Sequence, residues 1–149
     1  MSDDGRARMK QKQIIETKVH ELYYGQDMNC ARTTLTILSE LLDVVIEPQT
    51  MDAALGMHGA GLFRAQCGLV EGGLMFIGIY GKKCGRSEAD IVSLCHEYAS
   101  QFTREFGSLT CRELRPSGFK DDDPPHMCEG LTCRAITFAY EFMKQIAGG

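Results

Sequence analysis

The chain has 149 residues, 44% of them hydrophobic and 24% charged, which suits one domain with a real core and excludes disordered and collagen-like chains. Sixteen Lys and Arg against twenty Asp and Glu leave a net charge of −4, so the broad basic surface of a nucleic-acid binder is not expected. Seven cysteines with no tryptophan is the unusual count; it is odd, so the thiols cannot all pair within one chain, and it is too sparse for a disulfide scaffold.

The elements read as an all-α single domain over residues 1–149, with residues 1–5 and 148–149 frayed. A first helix is predicted from about Arg6 to Tyr24, with Ile15, Val19, Leu22 and Tyr23 on its apolar side and Gly25 as its C-cap. The basic cluster Arg6, Arg8, Lys10 and Lys12, with Asp3 and Asp4 beside it, reads as a solvated helix start. Asn29 is a good N-cap for a second helix running to about Val45, with Ala31, Leu35, Leu38 and Leu42 as its stripe. Pro48 stops it and opens a short helix through Met51 to Met57.

The glycine-rich segment Gly56 to Gly61 leads into an apolar helix from about Leu62 to Tyr80 that contains Gly68, Gly72, Gly73 and Gly78. Each glycine costs about 1 kcal/mol in a helix interior, so four of them imply close approach by a neighbouring backbone; this is the expected central helix of the bundle. The run is apolar yet short of the ~20 residues a membrane span needs, and it holds Glu71, so membrane insertion is not expected. Ser87 caps a helix to Phe106, with Ile91, Cys95, Tyr98 and Phe102 on its stripe. A brief turn follows from Cys111 to Leu114, then a loop from Pro116 to Pro125. A last helix is predicted from about Thr132 to Ala147, carrying Cys133, Ile136, Tyr140 and Met143 on one face. Five main helices result.

A thiol reacts as thiolate, and the unpaired N–H groups at a helix start favour that charge. Cys30 follows the Asn29 cap, Cys133 follows Thr132, Cys67 lies within two turns of a helix start, and Cys111 opens the brief turn. Thiols so far apart in sequence can meet only through the fold. The alternative for any one of them is packing as a small hydrophobe. That is the reading for Cys95, whereas Cys84 reads as an exposed loop thiol. His20 and His96 read as helix-surface residues, and His58 as a loop residue that a proton-relay role would also suit. His126-x-Cys128-x4-Cys133 fits no standard zinc spacing, Asp121 to Asp123 lack the pattern of an EF-hand, and there is no Cys-x-x-Cys, phosphate-binding loop or dinucleotide fingerprint.

Asn29-Cys30-Ala31, the glycine-rich approach, Cys67-Gly68-Leu69-Val70-Glu71-Gly72, then Phe106 to Leu114 around Cys111, and Cys133 before an apolar helix together resemble the C_GCAxxG_C_C family of small redox-active proteins. The resemblance covers the chain from about Ile15 onward. Leu69 stands where the motif has alanine. Carried over by position, the family's four cysteines fall on Cys30, Cys67, Cys111 and Cys133, with Cys128 competing for the fourth place.

The resemblance implies thiol–disulfide exchange or electron transfer at those four residues with no cofactor required, one of Cys30 and Cys67 attacking and another thiol resolving. The alternative is an iron–sulfur cluster or another soft metal held by the same Cys30, Cys67, Cys111 and Cys133. A third reading is a helical interaction module with incidental cysteines. A redox partner is implied, but neither its identity nor the oligomeric state follows from the sequence. Met1 to Gly5 lacks the apolar stretch of a secretory leader, so a cytoplasmic, reducing location is expected.

Overall fold

Ser2 opens the first helix by accepting a hydrogen bond from Gly5 N at 3.1 Å, so α1 runs Asp3–His20 and begins three residues earlier than the apolar spacing predicts. The chain is ordered into helix here because the cap satisfies a backbone donor and Asp3 and Asp4 complement the helix dipole. Arg6 and Arg8 pair with Asp3 and Asp4 at 2.6 and 3.3 Å on a solvated face, which accounts for the basic cluster. The computed structural model describes residues 2–115, 120, 122–124 and 126–148. Most of the expected Pro116 to Pro125 loop therefore lies outside the described residues.

Gly25 does not act as a left-handed cap. Instead α1 gives way to a π-helical turn, Glu21–Gly25, in which Leu22 and Tyr23 are both buried. Asn29 then caps α2 (Cys30–Leu42), its side-chain oxygen accepting from Arg32 N at 2.9 Å. The helix ends at Asp43, which is left-handed (φ 52°), with Val44 turned into the core; the expected continuation to Val45 fails because Val44 N bonds back to Ser39 O. Pro48 occupies the first turn of α3 (Pro48–Ala53).

The glycine-rich helix begins at Gly68, not Leu62. Residues Gly59–Leu62 form a single separate turn, α4, in which Ala60 and Gly61 are left-handed, and Arg64 is left-handed as well. The backbone then straightens so that Gln66 bridges Thr110, with Cys67 N donating to Leu109 O (2.8 Å) and Cys111 N donating to Ala65 O (2.7 Å). Only after that pairing does α5 (Gly68–Lys83) start, and it is the buried centre of the bundle.

Gly68 and Gly72 give α5 its close approach to α2. A Cβ on Gly72 would lie 2.8 Å from the carbonyl oxygen of Ala31 and 2.9 Å from Cβ of Thr34, and one on Gly68 would strike Met57 O and stand 3.2 Å from Cβ of Cys30. Ser87 caps α6 (Glu88–Phe106) through Asp90 N at 3.1 Å, and Gly107 ends it in the left-handed conformation. The brief α7 is Cys111–Leu114 and the last helix, α8, is Glu129–Gly148, starting three residues before Thr132 and carrying helix to the penultimate residue. Helices α2, α6 and α8 pack on α5, and α1 closes the bundle against α8 and α2. These five main helices form the all-α fold expected, with no strand longer than the one bridge among the described residues. No helix among those residues is long and apolar enough to cross a membrane.

Candidate functional site

Four cysteines stand at four helix starts. Cys30 is the first residue of α2, Cys67 caps α5, Cys111 is the first residue of α7, and Cys128 immediately precedes α8, its carbonyl accepting from Thr132 N at 2.7 Å. Cys30, Cys111 and Cys128 line one cavity of about 380 Å³, whose wall also includes Tyr23, His58, Arg64, Arg115 and His126. Cys67 sits behind the wall, only 4% exposed. The Gln66–Thr110 bridge sets its relation to Cys111: residue 67 opposes 109, so Cys67 and Cys111 are diagonal neighbours on one face of the bridge.

Backbone strain gathers around this cavity. Of the six non-glycine residues with positive φ among those described, Asp27, Leu62, Arg64 and His126 all line it. Such conformations cost of order 1 to 3 kcal/mol each and persist where the surrounding structure holds them, as functional sites commonly do. His126 is held by a 2.8 Å bond from its ring to Asp27 and by stacking on Tyr23 at 4.5 Å between ring centres. The Tyr23 hydroxyl is in turn bonded to Thr132 Oγ1 at 2.6 Å, which ties the π turn to the start of α8.

Electrostatics at the cavity oppose the simple helix-start expectation. Burial pushes the thiols of Cys30 and Cys67 up to about 12, and the neighbouring cysteines add to the rise for both. The N–H groups of Leu69 and Val70 do pull Cys67 down, as a helix start should, but burial outweighs them. Burial also raises Cys111 and Cys128. Cys111 differs from the other three in feeling two guanidinium groups, Arg115 and Arg64, both of which lower it. Cys128 feels Arg115 alone, against the raising influence of Cys111. All seven cysteines carry free thiols. Among the described residues no three His, Cys, Asp or Glu side chains are grouped so as to hold a metal ion, so the thiols as placed do not form a ready ligand set.

Residues 28–142 match the family described as putative redox-active protein (C_GCAxxG_C_C). The chain belongs to the C_GCAxxG_C_C family. No curated protein and no solved structure matches it.

Of the four positions carried over from the C_GCAxxG_C_C pattern, Cys30, Cys67 and Cys111 come together and Cys133 does not. Cys133 lies in the second turn of α8, where Thr132 faces Tyr23 and the next residue is rotated away toward α1. It lines a separate cavity of about 800 Å³ whose rim carries Glu16, Glu105, Glu129 and Glu141 against Lys12 and Arg134. Burial, then Glu16 and Glu129, push its thiol up to about 11. Cys128 occupies the place beside the other three. In this C_GCAxxG_C_C protein Cys95 packs half-buried against the core and Cys84 is exposed at the end of α5, both as read from sequence. Arg64 and Arg115 were missed, since an isolated arginine carries no sequence signal; the left-handed backbone that aims Arg64 is a property of the folded turn.

Proposed function

We propose that this protein performs thiol–disulfide redox chemistry at the cavity shared by Cys30, Cys111 and Cys128, with Cys111 as the attacking thiol and Cys67 as the resolving one. The observation that carries this reading is that Arg64 and Arg115 line the cavity with Cys111 and both pull its thiol down against the burial that raises it, whereas Cys128 feels Arg115 alone. Burial raises all four thiols, but Cys30 and Cys67 reach about 12 with no guanidinium opposing the rise, which favours Cys111 over the two residues expected from the sequence.

In the forward step the Cys111 thiolate attacks a disulfide sulfur, forming a mixed disulfide and expelling one thiolate, which takes up a proton. The Cys67 sulfur, on giving up its proton, then attacks the Cys111 sulfur and releases the second thiol. The protein loses two electrons and two protons, and the substrate gains both. No cofactor is needed for this turn of the cycle, and a reducing, cytoplasmic compartment would restore the dithiol.

Mild oxidation followed by thiol counting and peptide mapping tests the assignment. Two thiols should be lost and a Cys67–Cys111 peptide recovered, and Cys67→Ser should trap the mixed disulfide on Cys111. A protein whose seven thiols all survive, or whose disulfide joins other residues, would overturn it. Anaerobic purification with metal analysis and an absorption spectrum addresses the soft-metal alternative, in which the same sulfurs would have to close on one ion; a coloured, metal-bearing protein would favour that reading over exchange.

A further inference from the structure

Exchange at Cys111 has to move a proton, and few groups around the cavity can carry one near neutral pH. Burial raises the Cys111 thiol, as it raises Cys30 and Cys128 beside it, and Arg115 and Arg64 only oppose the rise at Cys111, so its sulfur enters each cycle protonated. The guanidinium groups keep their charge throughout. Tyr23 and Tyr24 face the His126 ring, but a tyrosine hydroxyl holds its proton at this pH, and burial, then Cys30, push Tyr23 higher still. Glu129, whose N–H bonds to the His126 carbonyl at 3.1 Å, turns its carboxylate to His20 at 2.9 Å. Two imidazoles remain in the cavity wall, His58 and His126.

Of these, His126 is the one held as a proton carrier is held. Its side chain is only 16% exposed, its ring stacks on Tyr23, and its Nε2 bonds to Asp27 Oδ1 at 2.8 Å. A carboxylate can only accept, so Nε2 donates, and Nδ1 carries the lone pair of the neutral ring. Both ends of that bond have left-handed backbone, φ 48° at Asp27 and 59° at His126, a conformation that persists where the surroundings hold it. Asp27 is itself 91% exposed, so solvent screens its charge and its contribution is to fix the ring. His58 instead sets its Nδ1 3.4 Å from the Asn29 amide, whose nitrogen already donates to Ala54 O and Leu55 O.

We infer that His126, oriented by Asp27, is the acid–base group of this site: its Nδ1 takes the proton from the Cys111 thiol as that sulfur attacks and returns it to the sulfur that leaves. The inference rests on the dithiol–disulfide reading and adds the residue that moves its proton. In this step the S–H bond of Cys111 and the S–S bond of the substrate break. A bond from Cys111 to one substrate sulfur and an S–H bond on the departing thiol form, so His126 ends as it began and no electron passes through the ring.

Bis(hydroxyethyl) disulfide, a neutral probe, is mixed with the pre-reduced full chain in a single turnover across a series of pH values, and peptide mapping locates the product. The rate at Cys111 should rise with pH, level off, and rise again as the thiol itself ionises. His126→Gln keeps a donor for Asp27 but has no basic nitrogen. It should slow the reaction at pH 7 by about a hundredfold, the lower end of what acid–base groups contribute, and abolish the level region. The rate then climbs by about tenfold per pH unit, because thiolate alone attacks. His126→Gly, in which the left-handed backbone is relieved, should give the same profile, so a folding defect of the first variant decides nothing. A ring that only holds its segment in place would change the rate by one factor at every pH. If both variants run parallel to the parent, or the level region is lost in His58→Gln and kept in His126→Gln, the assignment is wrong while the exchange reading stands. If the probe leaves Cys67 and Cys111 of the parent unoxidised, the exchange reading itself falls and takes the proton carrier with it.

Discussion

Cys128 and Cys133 are five positions apart, and the direction each faces decides which cavity it joins. Cys30, Cys67, Cys111 and Cys128 stand at helix starts, yet burial raises all four thiols, and the last helix starts earlier than its apolar spacing predicts. With α8 placed at Thr132, Cys133 looked like the helix-start thiol, whereas the helix begins at Glu129 and the residue before it is Cys128. An acidic residue in the first turn, Glu129, was the available signal for the earlier start. The same scale carries a pH prediction. Cys30 and Cys67 keep their protons to about pH 12 in the folded chain, against an ordinary thiol value of 9.0 once unfolded. Below pH 9 both states are protonated and the full stability is present; as pH rises toward 12 the unfolded chain ionises first, so stability is lost. Urea midpoints of the reduced protein should hold to about pH 9 and fall above it, and Cys30→Ala should fall less steeply than the parent. Parallel curves would show that the Cys30 thiol is not held protonated by the fold.

Periodicity and caps made α2, α6 and the count of five main helices legible, because Asn29 and Ser87 satisfy backbone donors locally and need no tertiary partner. The start of α5 was not legible. An apolar run continues back through Leu62 and Phe63, but those two side chains are 71% and 77% exposed, and the segment is diverted by left-handed residues and by pairing with 109–111. That pairing is non-local, so no window along the chain contains it. The glycines of α5 were assigned to close backbone approach, and the structure sorts them. A Cβ on Gly72 would stand 2.8 Å from Ala31 O of α2, whereas one on Gly78 would meet nothing within 4 Å. Gly72→Ala should therefore cost about 1 to 3 kcal/mol by overpacking. Gly78→Ala should gain up to about 1 kcal/mol from helix propensity alone. Urea denaturation of both reads the signs, and equal effects would mean that the helix pair does not pack through this glycine.

For the whole molecule, the proposed dithiol joins two segments that touch at one bridge and otherwise belong to different parts of the bundle. Closing Cys67 onto Cys111 would encircle a loop of roughly 45 residues, and a relaxed disulfide of that span would stabilise the fold by about 4 kcal/mol through the chain entropy it removes from the unfolded state. The bridge register argues that the bond is not relaxed. Diagonal positions across an antiparallel pair are about 7 to 8 Å apart, whereas unstrained disulfides span Cα separations of roughly 4.4 to 6.8 Å. Forming the bond must pull α7 toward the start of α5. The strain is returned as a more oxidising disulfide, which is what an exchanging pair needs and a structural staple does not. The oxidised protein should thus be more stable than the reduced one by less than about 2 kcal/mol in urea at matched pH, well under the relaxed-loop figure. A difference near the full 4 kcal/mol would identify a relaxed structural bond and count against catalytic exchange at these two residues.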